Sequence, residues 1–159
     1  MHTYGRLFLV GTLVALMLAA CTAAPAEQIQ SQASPSAQVA APSSDTVGNV
    51  AGTLLRIKDG KNEAFVGIPL YLGDLVASTE GVEGISSLSR ETAPKTYTED
   101  SGAFVFADVP VGRYTLWLDT PRGPVMLNEP TTGGDLIITV DGGKISTLGS
   151  LPYDIPFPE

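Results

Sequence analysis

Histidine occurs once in this 159-residue chain, at position 2, and cysteine once, at position 21. Those two counts remove most familiar chemistry. A Ser-His-Asp or Cys-His relay needs an imidazole beside its nucleophile, and zinc is held by His and Cys. A Ser-Lys pair remains open as a class, but no S-x-x-K follows Cys21. Hard carboxylate oxygens suit calcium, and Glu99, Asp100, Asp108 and Asp141 all stand in or beside turns. None of these acids has EF-hand spacing, and solvated turn acids are far commoner, so no metal, no cofactor and no catalytic residue are expected. What remains is aromatic. Trp117 and Tyr71 alternate away from the apolar residues beside them, which would let them form a stacking platform for a sugar or a partner protein. The competing reading packs Trp117 beneath the connection 73–95, because large aromatics are usually mostly buried; it carries more weight.

The elements that must position these residues are strands. From Tyr97 to Asp119, Phe104 and Phe106 share one face of a first run, and Tyr114, Leu116 and Leu118 share one face of a second. Asp100-Ser101-Gly102 precedes the first run and Pro110-Val111-Gly112 separates the two, which reads as a hairpin. Gly102 fits a turn position that needs positive φ. Upstream, Asn49 to Leu55 places Val50 and Leu54 on one face, with Gly52 allowing close approach. Lys58 to Asn62 is rich in turn residues, and Phe65 to Leu72 is a second strand, with Pro69 marking an edge or a bulge. The stretch from Gly73 to Lys95 breaks the rhythm; a connection this long is functional or disordered, with a short helix offered at Asp74 to Glu80. Val125 to Leu127, Leu136 to Asp141 and Lys144 to Leu151 complete the set. The pattern is all-β: an antiparallel β-sandwich of about seven strands.

The front of the chain differs in kind. Leu7 to Ala20 is a 14-residue apolar run preceded by Arg6; it is short for a membrane span, which takes about 20 residues, and suits a signal peptide. It ends in Leu18-Ala19-Ala20-Cys21, which resembles the lipobox of bacterial lipoproteins. That resemblance implies cleavage before Cys21, lipid on its thiol and amino group, and attachment to the membrane through that lipid. Residues 1–20 are then a lipoprotein signal peptide. Of the 25 residues from Thr22 to Thr46, 19 are Ala, Ser, Gln or Pro, so 21–46 reads as the lipidated Cys and a flexible tether, with an average span of about 25–30 Å. Residues 47–159 form one domain of a size that supports one core. Without residues 1–20, eight basic residues face seventeen acidic ones, a net of −9. Such a charge argues against nucleic acid and against docking on anionic headgroups.

The run from Thr98 to Leu116, TEDSGAFVFADVPVGRYTL, resembles carboxypeptidase regulatory-like domains, also described as transthyretin-like or prealbumin-like sandwiches. Val50-Ala51-Gly52-Thr53-Leu54 and Val66 to Leu72 fit that family's first two strands. The resemblance implies the sandwich fold and is nearly silent on activity. The hydrolase branch of the transthyretin-like group uses histidines and a C-terminal Tyr-Arg-Gly-Ser, which this chain lacks. Related surface domains carry Lys–Asn isopeptide bonds; Lys58 invites that comparison, but it reads as a loop residue and the last strand offers no Asn. The expectation is a lipid-anchored, non-catalytic binding or structural module at the outer face of the plasma membrane or in the outer membrane, its partner a glycan or a cell-surface protein. The alternative is an accessory or regulatory subunit of a neighbouring surface enzyme or transporter.

Overall fold

A computed structural model describes residues 39–76 and 84–155. The expected signal peptide, Cys21 with Leu18, Ala19 and Ala20, and most of the expected tether lie outside the described residues. Ten strands follow in order: β1 Val47–Lys58, β2 Lys61–Ala64, β3 Pro69–Val76, β4 Ile85–Ser87, β5 Lys95–Tyr97, β6 Ala103–Pro110, β7 Gly112–Thr120, β8 Gly123–Met126, β9 Ile137–Val140 and β10 Ile145–Tyr153. They form two sheets, and the fold is the expected all-β sandwich, with ten strands among the described residues where about seven were expected.

Each sheet is built on long strands flanked by shorter ones. In the first sheet, β1 has β10 on one side, while β6 and then β2 share the other. In the second, β3 and β7 pair through Leu70 to Asp74; β5 and β4 lie beyond β3, and β9 and β8 beyond β7. The inner faces carry Val50, Leu54, Phe104 and Phe106 from one sheet and Leu70, Leu72, Tyr114, Leu116, Leu118, Ile138 and Val140 from the other, all in one buried cluster. Phe104 and Phe106 meet edge to face with centroids 6.0 Å apart. Gly52 makes room for that packing: a Cβ there would stand 2.7 Å from the Phe104 ring.

Four sequence expectations need correction. β6 and β7 are not a hairpin, since β6 pairs with β1 and β7 with β3, in different sheets. Alternation says which face a strand buries, not which strand it pairs with, and both inner faces of a sandwich alternate alike. Val111 alone links the two strands, and the Tyr114 hydroxyl donates to the Pro110 carbonyl at 2.9 Å across the corner. The sheets are not wholly antiparallel, because β1 and β10 run parallel. Residues 74–76 are strand, not the start of a helix; residues 77–80 of that expectation lie outside the described residues. Finally, β4 and β5 both fall within 73–97. The turn-rich Lys58 to Asn62 closes a tight hairpin, in which Asp59 and Gly60 both have positive φ (52° and 73°) between paired Lys58 and Lys61, as the two-residue Asp-Gly turn requires.

Residues 39–46, within the segment expected as a tether, are hydrogen-bonded to the sandwich. Asn49 is the pivot, a polar side chain only 2% exposed. Its amide donates to Ala40 O (2.7 Å), and its Oδ1 accepts from Asp108 N (2.8 Å). Asp108 sits at φ 52°, where the register between β1 and β6 shifts, and its carboxylate accepts from Ser43 N at 2.8 Å. A bulge thus turns one residue of β6 out of the ladder, and the chain entering the domain is fastened to it.

Candidate functional site

The chemistry-bearing side chains gather on the outer face of the second sheet. β3 opens with Pro69, which needs no donor there, and runs antiparallel to β5 with Pro69 opposite Tyr97 and Tyr71 opposite Lys95. Thr98, buried just beyond β5, anchors this edge by accepting from Ile68 N through its hydroxyl at 2.9 Å. On the other side of β3, Tyr71 stands opposite Trp117. Alternation therefore sets Tyr71, Lys95, Tyr97 and Trp117 on one face.

The two aromatics singled out in the sequence are covered. Tyr71 is 5% exposed. Trp117 is half-buried, and its Nε1 donates to Thr115 Oγ1 at 2.9 Å and to Ser86 Oγ at 3.3 Å. Ser86 belongs to β4, which extends the same sheet beyond β3, so part of the connection 73–95 supplies a partner for the indole. Gly73 permits the arrangement, because a Cβ there would come within 2.5 Å of the indole nitrogen.

The aromatic that faces water is Tyr97, 55% exposed. Between it and Tyr71 lies the Lys95 ammonium, 4.9 Å from the Tyr97 centroid and 5.2 Å from that of Tyr71, within cation–π range of both. Hydrogen bonding to the Tyr97 side chain, then to that of Tyr71, raises the Lys95 pKa above the ordinary lysine value. Among the described residues no carboxylate lies within 4 Å of this ammonium. At Pro69, the residue opposite Tyr97, lies a shallow, open depression of about 440 Å³, lined by Ile68, Pro69, Asp119, Thr120 and Pro121. Pro69 is common to both features, and Arg90 donates to the Asp119 carboxylate at the rim.

Sequence reasoning missed Lys95, Tyr97, Arg90 and Asp119 as a group. Lys95-Thr96-Tyr97 alternates like a strand, but three residues are too few to stand out beside a long irregular connection. The turn acids disperse. Asp141 pairs with Lys144 at 3.3 Å and Asp108 holds Ser43, while no cluster of three or more His, Cys, Asp or Glu forms among the described residues. Lys58 ends β1 opposite Lys61. Glu129 organises its own loop: hydrogen bonds from Thr131 and then Thr132 bring its pKa down to about 2. The Tyr153 hydroxyl, which donates to Asn128 O at 2.6 Å, is pushed up to about 12, first by burial and then by the Glu129 charge.

No protein-family model matches the chain, and no curated protein matches it significantly. Among solved structures, it is similar to a candidate carbohydrate binding protein of Pseudomonas aeruginosa, at 13% identity and TM-score 0.42 over 70% of this chain and 92% of that one. It is also similar to the minor pilin of Streptococcus agalactiae (16%, TM-score 0.41, over 72% of this chain and 47% of that one). The major pilin subunit of Bacillus cereus gives 12% and 0.40, over 69% of this chain and 30% of that one. The chain thus spans less than half the length of either pilin. Likeness at this level carries neither family nor function.

Proposed function

We propose that this chain is a non-catalytic binding module, exported and held at the bacterial cell envelope by lipid on Cys21, whose ligand is a glycan. The observation that carries the reading is Tyr97: an exposed ring, fixed by Lys95 from behind and bordered by an open depression. Sugars offer apolar C–H faces that aromatic rings cover, and hydroxyls that rim groups such as Asp119, Thr120 and Arg90 can bond. Tyr71 and Trp117 serve this face as its support, and stacking on either would require the groups above them to move.

The test is titration of the full chain, in detergent, with soluble cell-wall and neutral plant glycans, followed by calorimetry. Binding that Tyr97→Ala weakens at least tenfold supports the reading. Absence of binding across the panel, or binding indifferent to Tyr97→Ala, refutes it. The anchor has its own assay: Cys21→Ser should move the protein from the membrane fraction to the soluble one, and unchanged retention with unchanged lipid labelling would refute lipidation. A second reading, an accessory subunit docked on a surface protein, is favoured by Val76 and Ile85, cross-strand partners 59% and 75% exposed.

A further inference from the structure

The Tyr71–Lys95–Tyr97 arrangement is unusual for this chain in its charge. The mature protein carries a net of −9, so its field repels anions in general. Several of its cations are already spent on carboxylates: Arg56 on Glu63, Arg90 on Asp119 and Lys144 on Asp141. Lys95 is held instead by two aromatic rings. A ring quadrupole fixes an ammonium without cancelling its charge. It therefore keeps its full positive charge beside the Tyr97 ring. Two tyrosine partners also restrict a side chain that would otherwise lose much rotamer freedom on engaging a ligand. Lys95 is exposed, and the depression near it is lined by Ile68, Pro69, Thr120, Pro121 and Asp119, whose carboxylate Arg90 pairs.

We propose that this clamp is a subsite for a carboxylate-bearing sugar, a hexuronate unit of an acidic polysaccharide. The Tyr97 ring covers the C–H face of the sugar, and Lys95 takes the carboxylate in a charge-assisted hydrogen bond. The neighbouring residue of the polymer lies in the depression over Pro69 and Pro121. The inference rests on the glycan-binding reading and narrows it to one ligand class. Long-range repulsion rejects polyanions at large, so an acidic glycan is retained only where the stacking and the local charge act together.

The experiment compares an oligogalacturonate with its methyl ester, which has the same backbone without the charge, on the full chain in detergent at about 0.15 M salt, where long-range repulsion is largely screened. The acid form should bind about tenfold or more tighter than the ester, the scale of a hydrogen bond to a charged group. Lys95→Met should abolish the ratio while leaving ester binding in place, and Lys95→Arg should restore part of it. The Trp117 emission of each variant reports whether the face is still folded. Equal binding of acid and ester, or a ratio unchanged in Lys95→Met, overturns the proposal while leaving glycan binding intact, provided Tyr97→Ala still weakens it. Polyglutamate binding as tightly as the acid form, whatever stands at 97, overturns the assignment to a sugar. If neither galacturonate binds, the proposal falls, and binding of any neutral glycan then decides the wider reading separately.

Discussion

Asn49→Ala isolates the device that fastens residues 39–46 to the sandwich. The substitution deletes two hydrogen bonds, Asn49 Nδ2 to Ala40 O and Asp108 N to Asn49 Oδ1. It leaves a main-chain donor and a main-chain acceptor without their partner. Such orphaning costs roughly 1–3 kcal/mol per group when burial is complete. Ala40 and Asp108 are exposed residues, so water recovers part of the loss, and about 2 kcal/mol in total is expected. For a domain of this size that is a fall in Tm of roughly 6–12 °C. Urea unfolding of the full chain in detergent gives the free energy, and hydrogen exchange at Ser43 N, which bonds to Asp108, shows whether the segment is released. Asn49→Asp refines the test. One oxygen still accepts from Asp108 N, but the other now faces the Ala40 carbonyl, and the side chain carries a buried charge. This variant should be less stable than Asn49→Ala at pH 7 and recover below about pH 4, where the carboxyl regains a proton to donate. If Asn49→Ala falls within 0.5 kcal/mol of wild type, the threshold for ordinary surface changes, and the Asp variant shows no pH dependence, the reasoning is refuted.

Other consequences are as definite. Trp117→Phe keeps the ring but loses the bonds from Nε1 to Thr115 and Ser86; it should cost about 1–2 kcal/mol and speed amide exchange in β4, whereas unchanged β4 exchange would mean that Ser86 does not latch it. Glu129 has a folded pKa near 2, lowered chiefly by its bond from Thr131, so its contribution to stability is complete above the usual carboxylate range and is lost as pH falls from about 4.5 to about 2. Glu129→Gln should flatten that part of the acid profile, and a profile identical to wild type would refute the assignment. Gly102 has φ 78°, and a Cβ there would meet Leu54 O. Gly102→Ala should therefore cost more than 2 kcal/mol, combining left-handed strain with a backbone clash; a urea midpoint shift under half of that would show that the turn can adjust.

The sequence made one half of each strand legible. Inner positions announce themselves because a buried face must be apolar every second residue, and Val50, Leu54, Leu70, Leu72, Phe104, Phe106, Tyr114, Leu116 and Leu118 are all buried as that pattern requires. Pairing is another matter. Nothing in the alternation distinguishes a hairpin from a corner between sheets, and here Pro110-Val111-Gly112 makes a corner, closed by a tyrosine that bonds back to Pro110. The parallel partnership of β1 and β10 joins segments some ninety residues apart, and no local signal reports such a contact. The bulge at Asp108 escaped notice because a non-glycine residue at positive φ leaves no mark on composition.

The candidate site escaped for a related reason. An outer face reads as polar and aromatic residues in the gaps between core positions, and its meaning depends on what covers it. Trp117 and Tyr71 occupy such gaps, but side chains from the neighbouring strands β4 and β5 meet them: Ser86 accepts from Trp117, and Lys95 lies over Tyr71. The long connection expected to be either functional or disordered thus adds two short strands beside β3, and the last of them supplies the exposed ring. One aromatic pair is covered, while the single ring of Tyr97 is exposed. The buried pair stiffens the support, so that on the proposed reading Tyr97 and Lys95 would have little left to order on binding a ligand.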